Sequence, residues 1–584
     1  MLKVITRRTP RSVACLGLRF NSGGPPKEYK FDPAAHHEVP KDQQQKYESQ
    51  QRYKAVLLGI AAFGGAIGAF QVYNNYGWVR AKITGHSGFQ SEMADQEAKA
   101  RYDLKKKQEL KQQLAITDPN DSTVPGLYVC GSNEYGIISA DKKVKFQTIL
   151  KRVPFFDGML LRDVKLGDQS ACAIDSKGNL FQWGKNFDPK GVEPRISVKG
   201  LGLVKCEISN GAVYALAKDG SVYYFPESSE EQKQFKVESR NAIGIKSTKH
   251  YQKLKLEKAK DIAAGDQHLV MLSSTGKVFT MATGFKNIEK SNGQFGSTKM
   301  TQFDTPPLPN VPIEVSLLNR FKDDKTGEYK PRLITQIAAG KFHTLALDNL
   351  GYVWSFGHNV YGSLGKHVAY NTEIIPYPSK VELFSAHFKK DDFPQCVNIA
   401  AGGFTSFATF VSSNIYKLFE ESLKGKKRTD FSDLTQTESD SQLHLSWGKG
   451  LKGELGTSHF THSQPEPAKM KILNSLKDYN EENHRLESTK IKSWSVGESH
   501  VLITLDSGDV YAWGDNEYGQ LGNGKRVRSA APFNPPALVE PQDKNVTLRK
   551  LENVNNRLTL KSWKKYEQSV VAGSGATGLY YKPL

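Results

Sequence analysis

Cysteine is scarce in this sequence. There are five in 584 residues, with no CxxC pair and no Cys/His spacing that suits a metal. That excludes a zinc module or a disulfide scaffold. Cys15 lies near the start, and Cys130, Cys172, Cys206 and Cys396 sit singly, so they read as buried reduced thiols; the intermembrane space would permit a disulfide, but nothing in the sequence pairs two of them. Acidic residues are absent before Glu28, and charge of either sign is absent from Ala55 to Val79. No nucleophile–base pair and no acid/base carboxylate pair stands out. The sequence therefore singles out no catalytic, cofactor-binding or metal-ligating residue.

The acid-free start carries Lys3, Arg7, Arg8, Arg11 and Arg19 among Leu2, Val4, Ile5, Val13, Leu16, Leu18 and Phe20. Basic, amphipathic and without an apolar core, residues 1–21 read as a mitochondrial transit peptide, with a matrix-protease pattern at Arg19-Phe20-Asn21-Ser22. A polar segment, 22–54, follows. The charge-free stretch 55–79 is long enough for one transmembrane helix, and basic and aromatic residues (Arg52, Lys54, Tyr73, Tyr76, Trp78, Arg80) flank it as they flank spans at interfaces. Lys41, Lys46, Arg52 and Lys54 outnumber Arg80 and Lys82, which favours the N-terminus in the matrix and the remainder in the intermembrane space. Glu92–Leu114 has no Gly or Pro and predicts a helical stalk within a linker at 80–121.

From about residue 122 a repeat takes over. Its best copy runs Tyr511, Ala512, Trp513, Gly514, Asp515, Asn516, Glu517, Tyr518, Gly519, Gln520, Leu521, Gly522. Weaker copies surround Gly184, Trp354 with Gly357, and Trp447 with Gly448, and an early one spans Leu127 to Gly136. Each is preceded by a strand pattern of period two such as Ile337–Leu347, with glycine at Gly178, Gly220, Gly276, Gly351 or Gly508 for the intervening turn. Aligned on their first strands, the units fall at Val164, Cys206, Ile262, Ile337, Ile399, Trp494 and Val570, and the Trp-Gly elements end at Gly131, Gly184, Phe225, Gly284, Gly357, Gly448 and Gly514. The first copy has only the second half of a unit and the last only the first half. Two half-units can share one blade and close a ring without an open sheet edge.

These residues resemble the regulator of chromosome condensation (RCC1) repeat. The resemblance implies an all-β fold, a seven-bladed propeller over 122–584, closed by N- and C-terminal half-units and interrupted by an insertion near 414–443. The repeat positions Gly184, Gly265, His268, Gly340, His343, Trp354, Gly357, Trp447, Gly448, Gly497, His500, Trp513, Gly514, Gly519 and Gly522 read as structural. His268, His343 and His500 share one position, filled elsewhere by Ser170, Ala212, Thr405 and Ala576; a ring of imidazoles could bind a metal, but each comes from a different blade with no carboxylate at the position, and each reads as a hydrogen-bonded structural residue. Gly519–Lys525 matches a P-loop except that Arg526 replaces Ser/Thr, and Gly573–Gly578 matches GxGxxG with no room for a following helix. Both read as repeat turns.

The formal charge of +19 suits anionic lipid headgroups or an acidic partner, or is a solvated basic surface; no nucleic-acid module is recognisable. Presequence, single span and repeat together resemble a fungal mitochondrial inner-membrane protein implicated in assembly of respiratory complex III (cytochrome bc1). That resemblance implies a non-enzymatic scaffold whose partners are inner-membrane respiratory-complex subunits or assembly factors. Guanine-nucleotide exchange on a small GTPase, and a matrix-facing RNA or ribosome partner, are the competing readings.

Overall fold

The computed structural model describes residues 125–141, 143–191, 193–240, 246–323, 326–382, 387–388, 393–413, 442–480, 484–538 and 557–584. The transit peptide, polar segment, span and stalk expected at 1–121 lie outside the described residues, as does 414–441 of the insertion. Among the described residues no helix is long and apolar enough to cross a membrane.

Seven four-stranded antiparallel sheets form the fold among the described residues. We number them as blades I to VII along the ring. Their first strands are Leu161–Leu166, Leu203–Ser209, Ala259–Ala264, Ile334–Ala339, Phe393–Gly402, Ile491–Val496 and Tyr566–Ala572. Each first strand packs beside that of the next blade, and the strand of blade VII returns to that of blade I. Blade VII is the composite one. Its first two strands, Tyr566–Ala572 and Ala576–Pro583, come from the C-terminus, and its outer two, Leu127–Ser132 and Phe146–Val153, open the described chain. Leu127 pairs with Tyr580 and Gly131 with Ala576. This pairing leaves no first or last edge in the ring.

The register confirms the alignment of units. Val164, Cys206, Ile262, Ile337, Ile399, Trp494 and Val570 each pair with the corresponding residue of their second strand: Ala173, Ala215, Met271, Ala346, Ala408, Ile503 and Leu579. They lie inside the strands rather than at their openings. The second strands of blades II, III, IV and VI are buried along their whole length, because blades cover both faces.

Between second and third strands, Gly178, Gly220, Gly276, Gly351 and Gly508 adopt φ between +81° and +86°, a region that a Cβ disfavours. In blade V this turn is where the insertion stands. Gln442 and Leu443 already belong to the third strand, pairing with Val411 and Phe410, so the insertion ends at 441 rather than 443.

Two further alignments are corrected. The residue opposite the shared His position is Gly357 in blade IV, Gly448 in V and Gly514 in VI, but Pro226 in blade II and Ala282 in blade III, not Phe225 and Gly284. These glycines sit at φ of +108° to +118°, where the register slips against the fourth strand. Fourth strands in blades II and III are only two residues long, Gln252–Lys253 and Ile313–Glu314. They stop before that slip is needed, and the glycine becomes dispensable.

Antiparallel order divides the connections between two faces. Turns between second and third strands, and links between blades, lie on one, here the turn face. Loops from first to second and from third to fourth strands lie on the other, the loop face.

Candidate functional site

The described residues converge most closely around the central axis on the loop face. There each first-to-second-strand loop meets its neighbour. The amide of Asp266 donates to the Lys341 carbonyl (2.9 Å), Lys341 to Gly403 (2.6 Å), Glu498 to Gly573 (3.2 Å) and Ser574 to Leu166 (3.1 Å). Backbone thus joins blade III to IV, IV to V, VI to VII and VII to I.

His268, His343 and His500 lie fully buried behind these loops. Each is hydrogen-bonded, and the bond crosses the seam. Nε2 of His268 faces Thr344 Oγ1 at 3.2 Å, that of His343 faces Ser406 Oγ at 2.9 Å, and that of His500 faces Thr577 Oγ1 at 2.8 Å. The hydroxyl in each case belongs to the following blade. Ser406 donates onward to the Ser363 carbonyl (2.8 Å) and Thr577 to that of Gln520 (2.6 Å). A hydroxyl that donates elsewhere must accept from the ring, which places the imidazole proton on Nε2 in blades IV and VI. Burial pushes the three rings down to about 4, 3 and 4, so they are neutral.

The glycine three residues before each His is fixed by space. A Cβ at Gly340 would stand 2.1 Å from the His343 ring, at Gly265 2.3 Å from that of His268, and at Gly497 2.2 Å from the Gly573 carbonyl. Tryptophans complete the seams. Trp183 Nε1 donates to the Ile137 carbonyl (2.7 Å), Trp447 to Ser363 (2.9 Å) and Trp513 to Glu454 (2.7 Å), each in a loop of the preceding blade. Trp354 does not take this role. Phe356 fills the buried position, while the Trp354 indole donates to Asp348 (2.9 Å) and carries the Arg332 guanidinium 4.0 Å above its ring. Gly519 and Gly522 lie in the loop that meets blade VII, with Thr148 Cα 2.5 Å and Cys130 Sγ 3.5 Å from where a Cβ would sit. The P-loop-like and GxGxxG-like stretches are therefore seam loops.

Sequence reasoning overlooked Asn133, Asn359 and Asn516. Each is buried, and each stands three residues before a Tyr-Gly glycine, a spacing visible in the sequence. Their carboxamides organise the third-to-fourth-strand loops. Asn359 accepts from Leu364 N–H (2.9 Å) and donates to the Lys366 carbonyl (3.1 Å), and Asn516 does the same with Leu521 (3.0 Å) and Lys525 (2.9 Å).

At the axis the loops enclose a cavity of about 490 Å³ lined by Asp168, Asp266, Lys341, Glu498 and Ser574 among others. Lys341 Nζ bridges Glu498 (2.9 Å) and Asp266 (3.3 Å), so one ammonium ties blades III, IV and VI. Burial works against charge on Glu498, but hydrogen bonds from Ser574 and Lys341 hold its carboxyl below the usual range. Asp168 goes the other way, raised by burial and then by Glu498. The arrangement offers alternating charge to a polar ligand. Among the described residues no group of three or more His, Cys, Asp or Glu could hold a metal.

Family models for the regulator of chromosome condensation (RCC1) repeat match residues 334–363, 491–520 and 507–548, which are the units of blades IV and VI. Along 454 residues, 74% of this chain and 70% of the relative, the sequence is 31% identical to Protein FMP25, mitochondrial, of Saccharomyces cerevisiae. This chain belongs to the RCC1-repeat family. Other members show how far the likeness extends. The human E3 ubiquitin-protein ligase HERC2 is 25% identical over 417 residues, 64% of this chain but 7% of the ligase. The crystal structure of human WBSCR16 superposes with a TM-score of 0.51 at 15% identity, covering 79% of this chain and 99% of that one, which shows a shared RCC1-like fold. Propellers of this family are in general regulators or scaffolds rather than enzymes.

Proposed function

We propose that this protein is a non-enzymatic scaffold of the mitochondrial inner membrane that serves biogenesis of respiratory complex III. The observation that carries the reading is the extended likeness to a relative named as mitochondrial. An acid-free basic start and the charge-free stretch 55–79 agree with that address, and the excess of basic residues ahead of that stretch favours a propeller in the intermembrane space. The complex III assignment rests on the family resemblance of presequence, span and repeat.

Clients dock on the turn face. The described chain enters there, ahead of Leu127, and the insertion 414–441 leaves blade V there. Between blades III and IV the same face presents Leu317, Tyr329, Leu333 and Leu350, all more than 45% exposed. Apolar side chains gathered in this way suit a protein partner.

Native-gel analysis of respiratory complexes after deletion of the gene is the test, with loss of mature complex III expected while protein import continues. Replacing 414–441 by a short Gly-Ser linker is expected to leave a folded propeller that no longer retains its client. Normal complex III with a defect confined to mitochondrial translation, or nucleotide release from a small GTPase by the purified protein, would replace this reading by a matrix-facing or exchange-factor one.

A further inference from the structure

Cys172 and Cys206 meet across the seam between blades I and II. Cys172 lies in the second strand of blade I, paired with Lys165 and Gln182, and Cys206 in the first strand of blade II, paired with Ala215. Their sulfurs stand 2.9 Å apart, the Cys172 thiol donating to Cys206 Sγ. A disulfide bond measures about 2.05 Å, so less than an ångström of approach separates the thiols from it. Both side chains are buried among Ile174, Leu203, Val213, Ala215 and Phe225. The position of Cys206 is pinned, because its backbone N–H donates to Asp163 Oδ2 of blade I at 2.8 Å. The other described cysteines have no such neighbour: Cys130 Sγ faces the Gln520 carbonyl and Cys396 Sγ that of Asn398.

We propose that Cys172 and Cys206 form an interblade disulfide when the propeller folds in an oxidising compartment. The oxidant is a disulfide, either glutathione disulfide or that of a thiol oxidoreductase. The thiolate of one cysteine attacks it, gives a mixed disulfide and expels one thiolate. The second cysteine, deprotonated, attacks the protein sulfur of that mixed disulfide and expels the other. Two protein thiols lose two electrons, the oxidant becomes two thiols, and the two protons pass to these. Timing follows from burial. A thiol inside this apolar seam is far from its thiolate form, because burial and the neighbouring Cys172 thiol push Cys206 well up. The exchange therefore takes place before blades I and II close on each other. Once formed, the bond cross-links two blades that carry serine and alanine, Ser170 and Ala212, at the shared His position.

The chemistry does not depend on where the protein resides, whereas its occurrence in the cell rests on the intermembrane-space placement. Two measurements keep these apart. In the first, full-length protein is refolded in a glutathione redox buffer, acid-quenched, blocked with one alkylating reagent, reduced, labelled with a second and read by peptide mass spectrometry. The expected result is the second label on both Cys172 and Cys206 and the first on Cys130 and Cys396. The first label on Cys172 and Cys206 would overturn the proposal, as would the second label persisting on Cys172 in Cys206→Ala. In the second measurement the protein is labelled directly in acid-quenched mitochondria. A bond after refolding but free thiols in the organelle would uphold the pair and refute the intermembrane-space placement. Reduction of the oxidised protein is expected to lower Tm by a few degrees, a shift absent from Cys172→Ala/Cys206→Ala.

Discussion

Blades IV and II meet the same requirement, attachment to the next blade, with opposite residues. In blade IV, Gly340 leaves space and His343 fills it, reaching Ser406 of blade V. In blade II the His position is Ala212, and the position three before it is Ser209 rather than glycine. With no ring to accommodate, that residue keeps a side chain. Its hydroxyl crosses the seam instead, to the Gly265 carbonyl (2.6 Å) and to Thr283 Oγ1 (2.8 Å) of blade III. Blade I uses a third solution: Ser170 at the His position donates to the buried carboxylate of Glu227 in blade II. What these three seams share is a buried polar bond reaching the next blade, not one residue type. A degenerate repeat is therefore not a weak blade but one whose seam is bonded through a different position.

The largest expected effect comes from forcing both solutions into one blade. Gly340→Ser places a Cβ onto the His343 ring and is expected to cost about 3 kcal/mol or more, on the scale of severe overpacking, read from denaturant unfolding. His343→Ala is expected to cost about 2–4 kcal/mol, since it empties a buried site and strips Ser406 of its donor. The double variant, which copies blade II, is expected to be more stable than the sum of the two by at least about 1 kcal/mol. Strict additivity would break the comparison.

Stability is next expected to fall with acid. The three rings have folded pKa values near 4, 3 and 4, below the ordinary 6.5. Above pH 6.5 neither the folded nor the unfolded state binds a proton at these sites, and their contribution is complete. Below 6.5 the unfolded state is protonated first, so stability is lost progressively towards pH 4. Burial pushes His444 down to about 4 as well, so one His→Gln replacement is expected to remove about a quarter of that slope, and an unchanged slope would show that the histidines do not control it. The smallest effect is Ser170→Ala, expected to cost about 1–2 kcal/mol because Glu227 loses a buried donor. Ser209→Gly should cost a similar amount in blade II, whereas position 340 in blade IV already carries glycine.

The contrast also shows what the sequence could and could not reveal. Period-two strands, the turn glycines and the two half-units depend on neighbours close along the chain or on a repeated spacing, and the seven-unit alignment matches the strand register. Partners across seams depend on none of these. His343 and Ser406 are 63 residues apart, and Ser209 and Thr283 are 74 apart. Insertions of unequal length hide the correspondence between them. The same holds for Cys172 and Cys206, 34 residues apart, each of which looks solitary in the sequence. Phe225 and Gly284 were misaligned because short fourth strands remove the need for the glycine that marks the other units. The asparagines were legible at constant spacing, but their role appears only with the loop carbonyls and amides that they bind.

Blade VII gives the molecule a clock. Strand Leu127–Ser132 is made early and can pair at once with Phe146–Val153, but its inner edge has no partner until Ala576–Pro583 exists, about 450 residues later. At ordinary elongation rates that interval is roughly 20 to 90 s. Throughout it the growing arc has two exposed edges, which are liable to pair with the wrong chain. The entropic cost of bringing the ends together rises only with the logarithm of the intervening length, about 0.6 kcal/mol per doubling. The delay is thus one of sequence order rather than of energy. A polypeptide that stops short anywhere before the final strand cannot yield a smaller ring. Closure reports that Ala576–Pro583 has been made, and a chain without that strand keeps an open sheet edge.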